Sequence, residues 1–361
     1  MCSQRRILSA ILTLLSLAVL PGASAYAQKP SAYYTFTDLG GLPGLSFIQS
    51  QAWAINEFGD IVGSSWTVEP NGEAYEHAVV WAKDASGKYA ITDLGRRGRA
   101  MGINNLGEVV TGHGLIVPVT VDGSLVWYRD LDGDGINDLE NPLGFGSAIN
   151  DNSQIVQGYN VAQFDANGNV ITTALPNYGT GYAINDSGQV AGSSWFPDLP
   201  SEPAAIWQVN AVGDITGTQL LAPQSDSSGA TALCIDQFGN AAGRSEFPVP
   251  NSIGVRFRAT LWINGGPPID LGAPQRSSSE VQGARTINGV LKLVGWVNNN
   301  GYYAFLWQNG KLTNLNSLVS ASGVSLTEAD AINSSGQIVG VARVAVGKSN
   351  YEAHAFLITP K

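Results

Sequence analysis

Cysteine is almost absent from this chain, because only Cys2 and Cys234 occur among its 361 residues. Cys2 lies in an N-terminal segment that we expect to be removed, so Cys234 has no internal partner. This excludes an internal disulfide and a thiolate metal cluster. The fold must therefore be stabilised by its apolar core, and 361 − 27 = 334 residues are ample for one large core.

Long apolar runs are absent beyond the N-terminus. Arg5 and Arg6 precede an apolar stretch at 7–20, and small residues then offer cleavage between Ala25 and Ala27. This pattern predicts a signal peptide at 1–27 and a protein that is secreted, periplasmic or on the cell surface. An uncleaved membrane anchor is the alternative, but the run is short for a bilayer span. After cleavage we expect no membrane insertion.

Charged residues are scarce, at 13% of the chain, and the formal net charge is −10. An acidic surface repels nucleic acid and anionic membranes, so we expect neither as a partner. The chain has three histidines, too few and too scattered for a zinc site or a general base. Glycine is abundant instead, with 43 residues, beside many Val, Ile, Thr and Ser, which indicates an all-β, turn-rich protein.

One phrase recurs along the chain, and its last copy is Ala329–Gly340. It is typical of two strands joined by a tight turn, in which Asn333 accepts backbone hydrogen bonds and Gly336 supplies a positive φ. Seven copies have their turn at Asn56, Asn104, Asn150, Asn185, Asp236, Asn288 and Asn333. The mean spacing of about 46 residues lies within the range of propeller blades.

Each unit continues with a third strand such as His77–Trp81 and often a fourth with an Asp-Leu-Gly phrase. A four-stranded sheet of this kind exposes two apolar faces and needs neighbours on both. The seventh unit stops after its third strand, whereas 33–40 is a fourth-strand phrase with no unit before it. We therefore expect the N-terminal strand to complete the last sheet, with Phe36 and Phe356 on one sheet.

The predicted architecture is an all-β, seven-bladed β-propeller forming a single domain over 28–361, with an open solenoid as the alternative. Two units depart from the pattern. The third unit lacks the Trp strand, and the second carries an insertion around Asp130–Asn141.

These repeats resemble those of the bacterial extracellular HAF repeat proteins. The matching residues are His354-Ala355-Phe356 and Asp38–Leu42, together with the repeated Ala-Ile-Asn-x-x-Gly-x-Ile-Val-Gly hairpins. The resemblance covers nearly the whole mature chain and implies an exported, repeat-built β protein. It carries no known activity, so no catalytic residues are transferred from it.

The insertion holds the one local motif with a binding mechanism. Asp130, Asp132, Asp134 and Asp138 occupy the first, third, fifth and ninth places of a loop, and the carbonyl of Ile136 can fill the seventh. Alternating carboxylates with Gly at the sixth place suit Ca²⁺, although the Glu that an EF-hand has at the twelfth place is missing. The sequence predicts a structural calcium site, with a metal-free acidic turn as the alternative.

The tryptophans at the ends of third strands are expected to pack between blades. Trp53, Trp66 and Trp195 lie elsewhere, so they are the ones expected to reach a surface. No nucleophile motif stands out. The sequence favours a non-enzymatic binding or interaction scaffold for an unknown protein or carbohydrate ligand, with a polysaccharide-active enzyme or a structural envelope protein as alternatives.

Overall fold

The first strand of each repeat is the innermost strand of its sheet, and these strands surround the central axis. The computed structural model describes residues 33–165, 167–196, 198–199, 201–249 and 254–361. The predicted signal peptide at 1–27 lies outside these ranges. No helix in the described part of the chain is long and apolar enough to cross a membrane.

The described strands form seven four-stranded antiparallel sheets in a ring, a seven-bladed β-propeller. The first strand, β1, is Tyr34–Gly40. Blade 1 contains β2 Ser50–Ile55, β3 Ile61–Val68, β4 Ala74–Lys83 and β5 Tyr89–Arg97. Blade 2 contains β6 Ala100–Ile103, β7 Val109–Thr111, β8 Gly114–Ile116 and β11 Glu140–Pro142, with a hairpin of β9 Val119–Val121 and β10 Ser124–Val126 inserted.

Blades 3 and 4 follow without insertions. Blade 3 contains β12 Ala148–Ile149, β13 Ile155–Gln157, β14 Asn160–Phe164 and β15 Val170–Ala174. Blade 4 contains β16 Thr180–Ile184, β17 Gln189–Ser193, β18 Ala204–Val209 and β19 Ile215–Leu221.

The last three blades include two short 3-10 helices, Ile263–Gly265 and Leu315–Ser317. Blade 5 contains β20 Gly229–Ile235, β21 Ala241–Pro248, β22 Val255–Trp262 and β23 Ile269–Asp270. Blade 6 contains β24 Ser278–Ile287, β25 Val290–Asn298, β26 Tyr302–Gln308 and β27 Lys311–Asn314. Blade 7 contains β28 Val324–Ile332, β29 Ile338–Ala345, β30 Tyr351–Pro360 and, as its fourth strand, β1.

The apolar core is divided among the blade interfaces. Seven clusters of buried side chains occur in the described residues, and each joins two neighbouring blades. One of them packs Val339 and Leu357 of blade 7 against Ile61 and Trp81 of blade 1. The last blade is thus sealed to the first in the same way as every other pair, which leaves no exposed sheet face.

The N-terminal strand closes the ring, as predicted. In the antiparallel register of β1 and β30, Phe36 lies opposite Ile358 and Asp38 opposite Phe356. The Phe36 and Phe356 rings stack with their centroids 6.4 Å apart. Both rings therefore lie on one sheet, and the open solenoid is ruled out for the described residues.

The first hairpin turns follow the predicted chemistry in most blades. Gly336 has a φ of 75°, and Ser153 takes the same left-handed conformation, with a φ of 56°, where the third repeat lacks Gly. Blade 6 differs. Asn288 has a φ of 50° and Gly289 one of 77°, in a two-residue turn between the paired Ile287 and Val290. The equivalence of Asn288 with the other turn residues is therefore wrong, because Asn-Gly forms a shorter hairpin of its own.

The insertion in blade 2 is longer than predicted. It begins with the β9–β10 hairpin, where Ser124 pairs with Val121, and it ends before Asn141. Glu140–Pro142 already forms the outer strand of the blade, where Glu140 pairs with Ile116. The predicted boundaries were wrong because this outer strand carries no Asp-Leu-Gly phrase to mark it.

Candidate functional site

A β-bulge interrupts the innermost strand of six blades at the same place. In blade 1 the register shifts between Ala52 and Ala54, and in blade 4 between Gly181 and Ala183. Blades 2, 5, 6 and 7 have the same shift. A bulge adds one residue to a strand and re-aims its side chain, and bulges are frequent beside functional sites.

The bulged residues all border one cavity of about 370 Å³ on the central axis. In blade 3 the short innermost strand starts at Ala148, and Ser147 just before it takes the corresponding place. We name these seven side chains the bulge ring. Its members, from blade 1 to blade 7, are Trp53, Met101, Ser147, Tyr182, Leu233, Gln282 and Asp330.

The glycine that ends the repeated phrase lies opposite this bulge. A Cβ on Gly192 would lie 2.0 Å from the carbonyl oxygen of Thr180 and 2.8 Å from the Trp207 ring. A Cβ on Gly63 would meet the carbonyl of Gln51 at the same distance. The bulge pushes a carbonyl against the second strand, so only glycine fits there. The repeat therefore encodes the bulge as well as the turn.

The bulge ring has an acidic side. Asp330 is only 7% exposed, and one of its carboxylate oxygens accepts a hydrogen bond of 3.1 Å from the side chain of Gln51. Burial, and then the negative charge of Glu328, raises the pKa of Asp330 well above its ordinary value. Burial and the charge of Glu280 also raise the pKa of Glu328. Asp330 can thus hold a proton and donate a hydrogen bond into the cavity.

Glu280 lies close to this acidic side, where its charge raises the pKa of Asp330 and of Glu328. It is buried, and it pairs with the guanidinium of Arg244 from blade 5. Its other oxygen accepts a hydrogen bond of 2.6 Å from Gln282 of the bulge ring. The Gln282 amide is therefore oriented by a charged partner before any ligand arrives.

The bulge ring also has an aromatic side. Tyr182 is 38% exposed, and Trp53 lies under Arg99, whose guanidinium carbon is 5.1 Å from the ring centroid. The indole N–H of Trp53 is buried and has no hydrogen-bond partner among the described residues. A second aromatic pair, Tyr178 and Trp195, stands exposed in blade 4 with ring centroids 5.8 Å apart.

The three tryptophans that were expected to reach a surface are exposed to different extents. Trp195 is 46% exposed, whereas Trp53 and Trp66 are half-buried. The third-strand residues Trp81 and Trp207 are fully buried, as interface packing requires.

The turns close the other end of the axis. A cavity of only about 130 Å³ lies among the residues that follow the turn asparagines. Arg285 forms an ion pair there with Glu57, and the backbone N–H of Glu57 donates 2.9 Å to the side chain of Asn105. The side chain of Asn105 in turn donates 2.7 Å to Asp151. The polar side chains at this end of the axis are paired with one another, so the bulge ring is the better candidate for a ligand site.

The predicted calcium loop brings three of its carboxylates together. Oxygen atoms of Asp130, Asp132 and Asp134 lie within 4.8 Å of one another. The carboxylate of Asp130 accepts hydrogen bonds of 2.7 Å and 2.9 Å from the N–H groups of Gly133 and Gly135. Desolvation opposes ionisation of Asp130, but these donors outweigh it and lower its pKa. This arrangement can present several oxygens to one hard cation.

The remaining predicted ligands have other surroundings. The carboxylate of Asp138 accepts a hydrogen bond of 2.8 Å from the N–H of Leu131, which closes the loop. The N–H of Ile136 donates 2.7 Å to Asp134, which leaves the Ile136 carbonyl oxygen as its potential ligand atom. Asn137 between them is buried, and its amide donates 2.7 Å to the carbonyl of Trp127. Asn137 thus anchors the loop to the blade.

Two of the three histidines have a structural role that the repeat explains. The Nδ1 atom of His77 lies 3.0 Å from Asp93, and that of His354 lies 2.7 Å from Asp38. In blade 5, Arg258 occupies the same place and pairs with Asp270 at 2.6 Å. A side-chain contact between a basic residue and an aspartate therefore joins the third-strand and fourth-strand phrases.

The aspartate of this pair has a second role. Its carboxylate accepts the N–H of the glycine two residues on, at 2.9 Å for both Asp38 with Gly40 and Asp93 with Gly95. The leucine between them is buried at Leu39 and Leu94. His113 stands apart and contacts the carbonyl of Arg97 at 2.9 Å.

Comparison with known proteins adds little to this geometry. No protein-family model and no curated protein matches the chain. Among solved structures, a protein of unknown function from Dyadobacter fermentans DSM 18053 is 10% identical, with a TM-score of 0.37. The match covers 90% of this chain and 99% of that one. At this TM-score the likeness carries no further argument.

The bulge ring was missed by sequence reasoning, although a signal was present. In six repeats a variable residue lies three positions before the turn Asn or Asp, as Trp53 does before Asn56 and Asp330 before Asn333, whereas in blade 6 Gln282 lies three positions before Arg285. A variable position inside an otherwise constant phrase can mark a functional residue. Strict alternation of side chains along the strand would have placed the side chain of this variable residue on the wrong face of the sheet, because the bulge changes the face to which it points.

Proposed function

We propose that this chain is an exported, non-enzymatic binding scaffold of the HAF-repeat type, and that its ligand enters the central channel. The bulge ring carries the proposal. It collects seven side chains of different chemistry, one from each blade, around a single cavity. A repeat that can vary these positions while it keeps its four-stranded sheet can change its ligand without changing its fold.

The chemistry of the bulge ring favours a carbohydrate over a protein ligand. Trp53 and Tyr182 supply faces for the C–H side of a sugar ring, while Ser147, Gln282 and Asp330 supply hydrogen bonds for hydroxyl groups. The cavity of about 370 Å³ lies in the size range of small-ligand sites.

A glycan array with the purified protein tests this function. We expect specific binding without product release, and we expect Trp53→Ala to weaken binding at least tenfold. Trp195→Ala is the matched control, because it removes an exposed tryptophan that does not line the cavity. Equal loss in both variants, or binding of a peptide ligand and no glycan, would contradict the carbohydrate proposal.

One observation favours the alternative of a polysaccharide-active enzyme. Asp330, whose pKa is raised, lines the channel cavity, and the charge of the neighbouring Glu328 contributes to that rise; glycosidases use a pair of carboxyl groups as acid and base. Incubation with the glycans bound on the array decides between the two. Released reducing sugar that disappears in Asp330→Asn and Glu328→Gln would establish the enzyme; bound but intact glycan supports the scaffold.

We also propose that Ca²⁺ binds the loop of Asp130, Asp132 and Asp134 as a structural ion. The convergence of their carboxylates supports this. Calorimetric titration of the chelator-treated protein is expected to show one site, which is lost in Asp132→Asn/Asp134→Asn. Asp165→Asn is the control, because Asp165 caps an exposed turn in a similar way. Absence of calcium heat in the unmodified protein would favour the metal-free turn.

Export is the remaining part of the proposal. The signal-like sequence at 1–27 supports it. Fractionation of the producing cells, with N-terminal sequencing of the mature chain, should find the protein outside the cytoplasm and cleaved after Ala25 or Ala27. If it stays in the envelope fraction and binds no ligand, a structural envelope role becomes the better reading.

A further inference from the structure

A groove of about 630 Å³ lies between blades 6 and 7, beside the place where the ring is closed. It adjoins the end of β30 at Pro360, the start of β1 at Tyr34 and the hairpin between β26 and β27. Its walls differ from the rest of the protein, and no bulge-ring residue takes part in them.

The groove concentrates positive charge in an acidic protein. The described residues include six lysines, and three of them, Lys292, Lys311 and Lys361, line this groove. No Asp or Glu side chain lines it, whereas the whole chain has a net charge of −10. Three lysine side chains around a groove without Asp or Glu side chains make a local positive potential that attracts an anion.

These three amines have no partner among the described residues. The ion pairs there are formed by arginine and histidine, and no side chain of the three lysines makes a hydrogen bond. Lys83, by contrast, lies over the Tyr89 ring. The groove lysines are therefore available to a ligand without breaking an existing contact.

The floor of the groove is apolar. Leu306 and Tyr34 are buried beneath it, and Leu318 and Pro360 add to its lining. The Tyr33 ring stands 62% exposed at its edge. A small inorganic anion would interact with the lysine side chains but would make no contact with this apolar floor. A sugar chain uses both, because its C–H faces pack on apolar and aromatic surface while its acidic substituents reach the lysines.

We propose that this groove binds a segment of an acidic polysaccharide that carries carboxylate or sulfate groups. The proposal concerns a second site and goes beyond the channel, since the two share no lining residue. Nucleic acid offers the same sign of charge, but the remaining acidic surface repels a long, stiff polyanion, so nucleic acid is an outcome to be tested.

Calorimetric titration with three oligosaccharides of equal length tests the proposal. An oligogalacturonate carries carboxylates, a heparin-derived oligosaccharide carries sulfates as well, and a cello-oligosaccharide is neutral. In the Trp53→Ala variant, whose channel site is expected to be weakened, we expect binding of at least one acidic probe and none of the neutral one. Affinity should fall as salt rises from 50 to 200 mM, because exposed charges are screened.

Paired substitutions localise the site. Lys292→Gln/Lys311→Gln is expected to weaken acidic-glycan binding about tenfold. The matched control, Lys88→Gln/Lys348→Gln, removes the same charge at exposed positions outside the groove and should leave affinity within twofold. Circular dichroism and melting temperature establish that both variants are folded.

Distinct results would overturn the proposal. Equal weakening by both double variants would mean that net charge alone attracts the probe. Equal binding of the neutral oligosaccharide would remove the role of the lysines, and tighter binding of single-stranded DNA than of either acidic glycan would replace the ligand class. Trp53→Ala keeps the groove intact, so its acidic-glycan affinity should not change even if the channel proposal fails.

Discussion

The asparagine that opens a first hairpin turn serves its own blade and the next one together. In blade 4 the side-chain oxygen of Asn185 accepts hydrogen bonds of 3.1 Å from Ser187 and 3.0 Å from Gln189. Its amide group donates 2.9 Å to the carbonyl of Asp236 in blade 5. The side chain therefore fixes the turn of its own blade, and it links that blade to the next through a buried hydrogen bond.

These links run through five consecutive interfaces. The amide of Asn333 donates to the carbonyl of Asn56, that of Asn56 to Asn104, and so on through Asn150 to Asp236. At Asp236 the chemistry changes, because an aspartate has no amide to donate. The hydroxyl of Thr286 in blade 6 donates 2.6 Å to Asp236 instead, so this interface keeps a hydrogen bond with its direction reversed.

Removal of one such asparagine should cost more than an ordinary turn residue. Asn185→Ala leaves two N–H groups and one carbonyl unpaired in a buried place, so we expect a loss of about 2–4 kcal/mol in unfolding free energy. Asn210→Ala is the control, because Asn210 makes the same two turn bonds at an exposed position, and it should cost below about 1 kcal/mol. Urea titration measures both, and equal losses would deny the interblade role.

At the scale of the element, the bulge explains why the repeated phrase ends in a glycine within the second strand. Gly192→Ala would drive a methyl group into the carbonyl of Thr180, which lies 2.0 Å from the new Cβ. We expect a loss of about 2–5 kcal/mol, since neither the backbone nor the buried Trp207 ring can move aside cheaply. Gly217→Ala in β19 is the matched control, because its nearest neighbour lies 3.9 Å away. Thermal unfolding of both variants provides the test; a stable Gly192→Ala protein would mean that the bulge is not constrained.

The ion pairs between third and fourth strands give the closing strand a dependence on pH. Desolvation lowers the pKa of His354, but the hydrogen bonds that its ring donates to Asp38 and Glu352 outweigh it and raise that pKa overall. Desolvation opposes ionisation of Asp38, yet the hydrogen bond from His354 lowers its pKa. The pair therefore joins β1 to β30 while both groups are charged.

The two shifts set the pH window. The stabilisation from the raised pKa of His354 is fully present below about pH 6.5, and it is lost as the pH rises through the pKa of the folded state. The stabilisation from the lowered pKa of Asp38 is present above about pH 3.9, and it is lost as the pH falls through the pKa of the folded state. His354→Gln should cost about 1–2 kcal/mol near pH 5 and less at pH 9. Denaturant unfolding at both values checks this. A cost that does not change between them would show that His354 is never charged in the folded state.

At the scale of the whole molecule, the ring could be predicted because its features are local and repeated. Turn chemistry at Asn333 and Gly336, and the unmatched phrase at 33–40, were enough to predict seven blades and their closure. The boundaries in blade 2 could not be found, since a three-residue strand such as Glu140–Pro142 carries no pattern. The bulge ring and the lysine groove depend on register and on contacts between blades, which periodicity along one strand does not encode.

Closure can be tested directly by a covalent link between the two ends of the ring. Thr35 lies directly opposite Thr359 in the register of β1 and β30, so their side chains point to the same face of the sheet. Thr35→Cys/Thr359→Cys, made in the chain without its first 27 residues, should form a disulfide on mild oxidation. Cys234 is buried and should not compete for either new thiol.

The oxidised variant should be more stable than its reduced form by about 2–4 kcal/mol, because the bridge restricts an unfolded loop of more than three hundred residues. The reduced form of the same protein is the control, since it differs only by the bridge. A thiol count before and after oxidation, with unfolding followed by tryptophan fluorescence, measures both the link and its effect. If the thiols stay free while the protein is folded, β1 does not pair with β30, and the seventh blade lacks the strand that seals the ring.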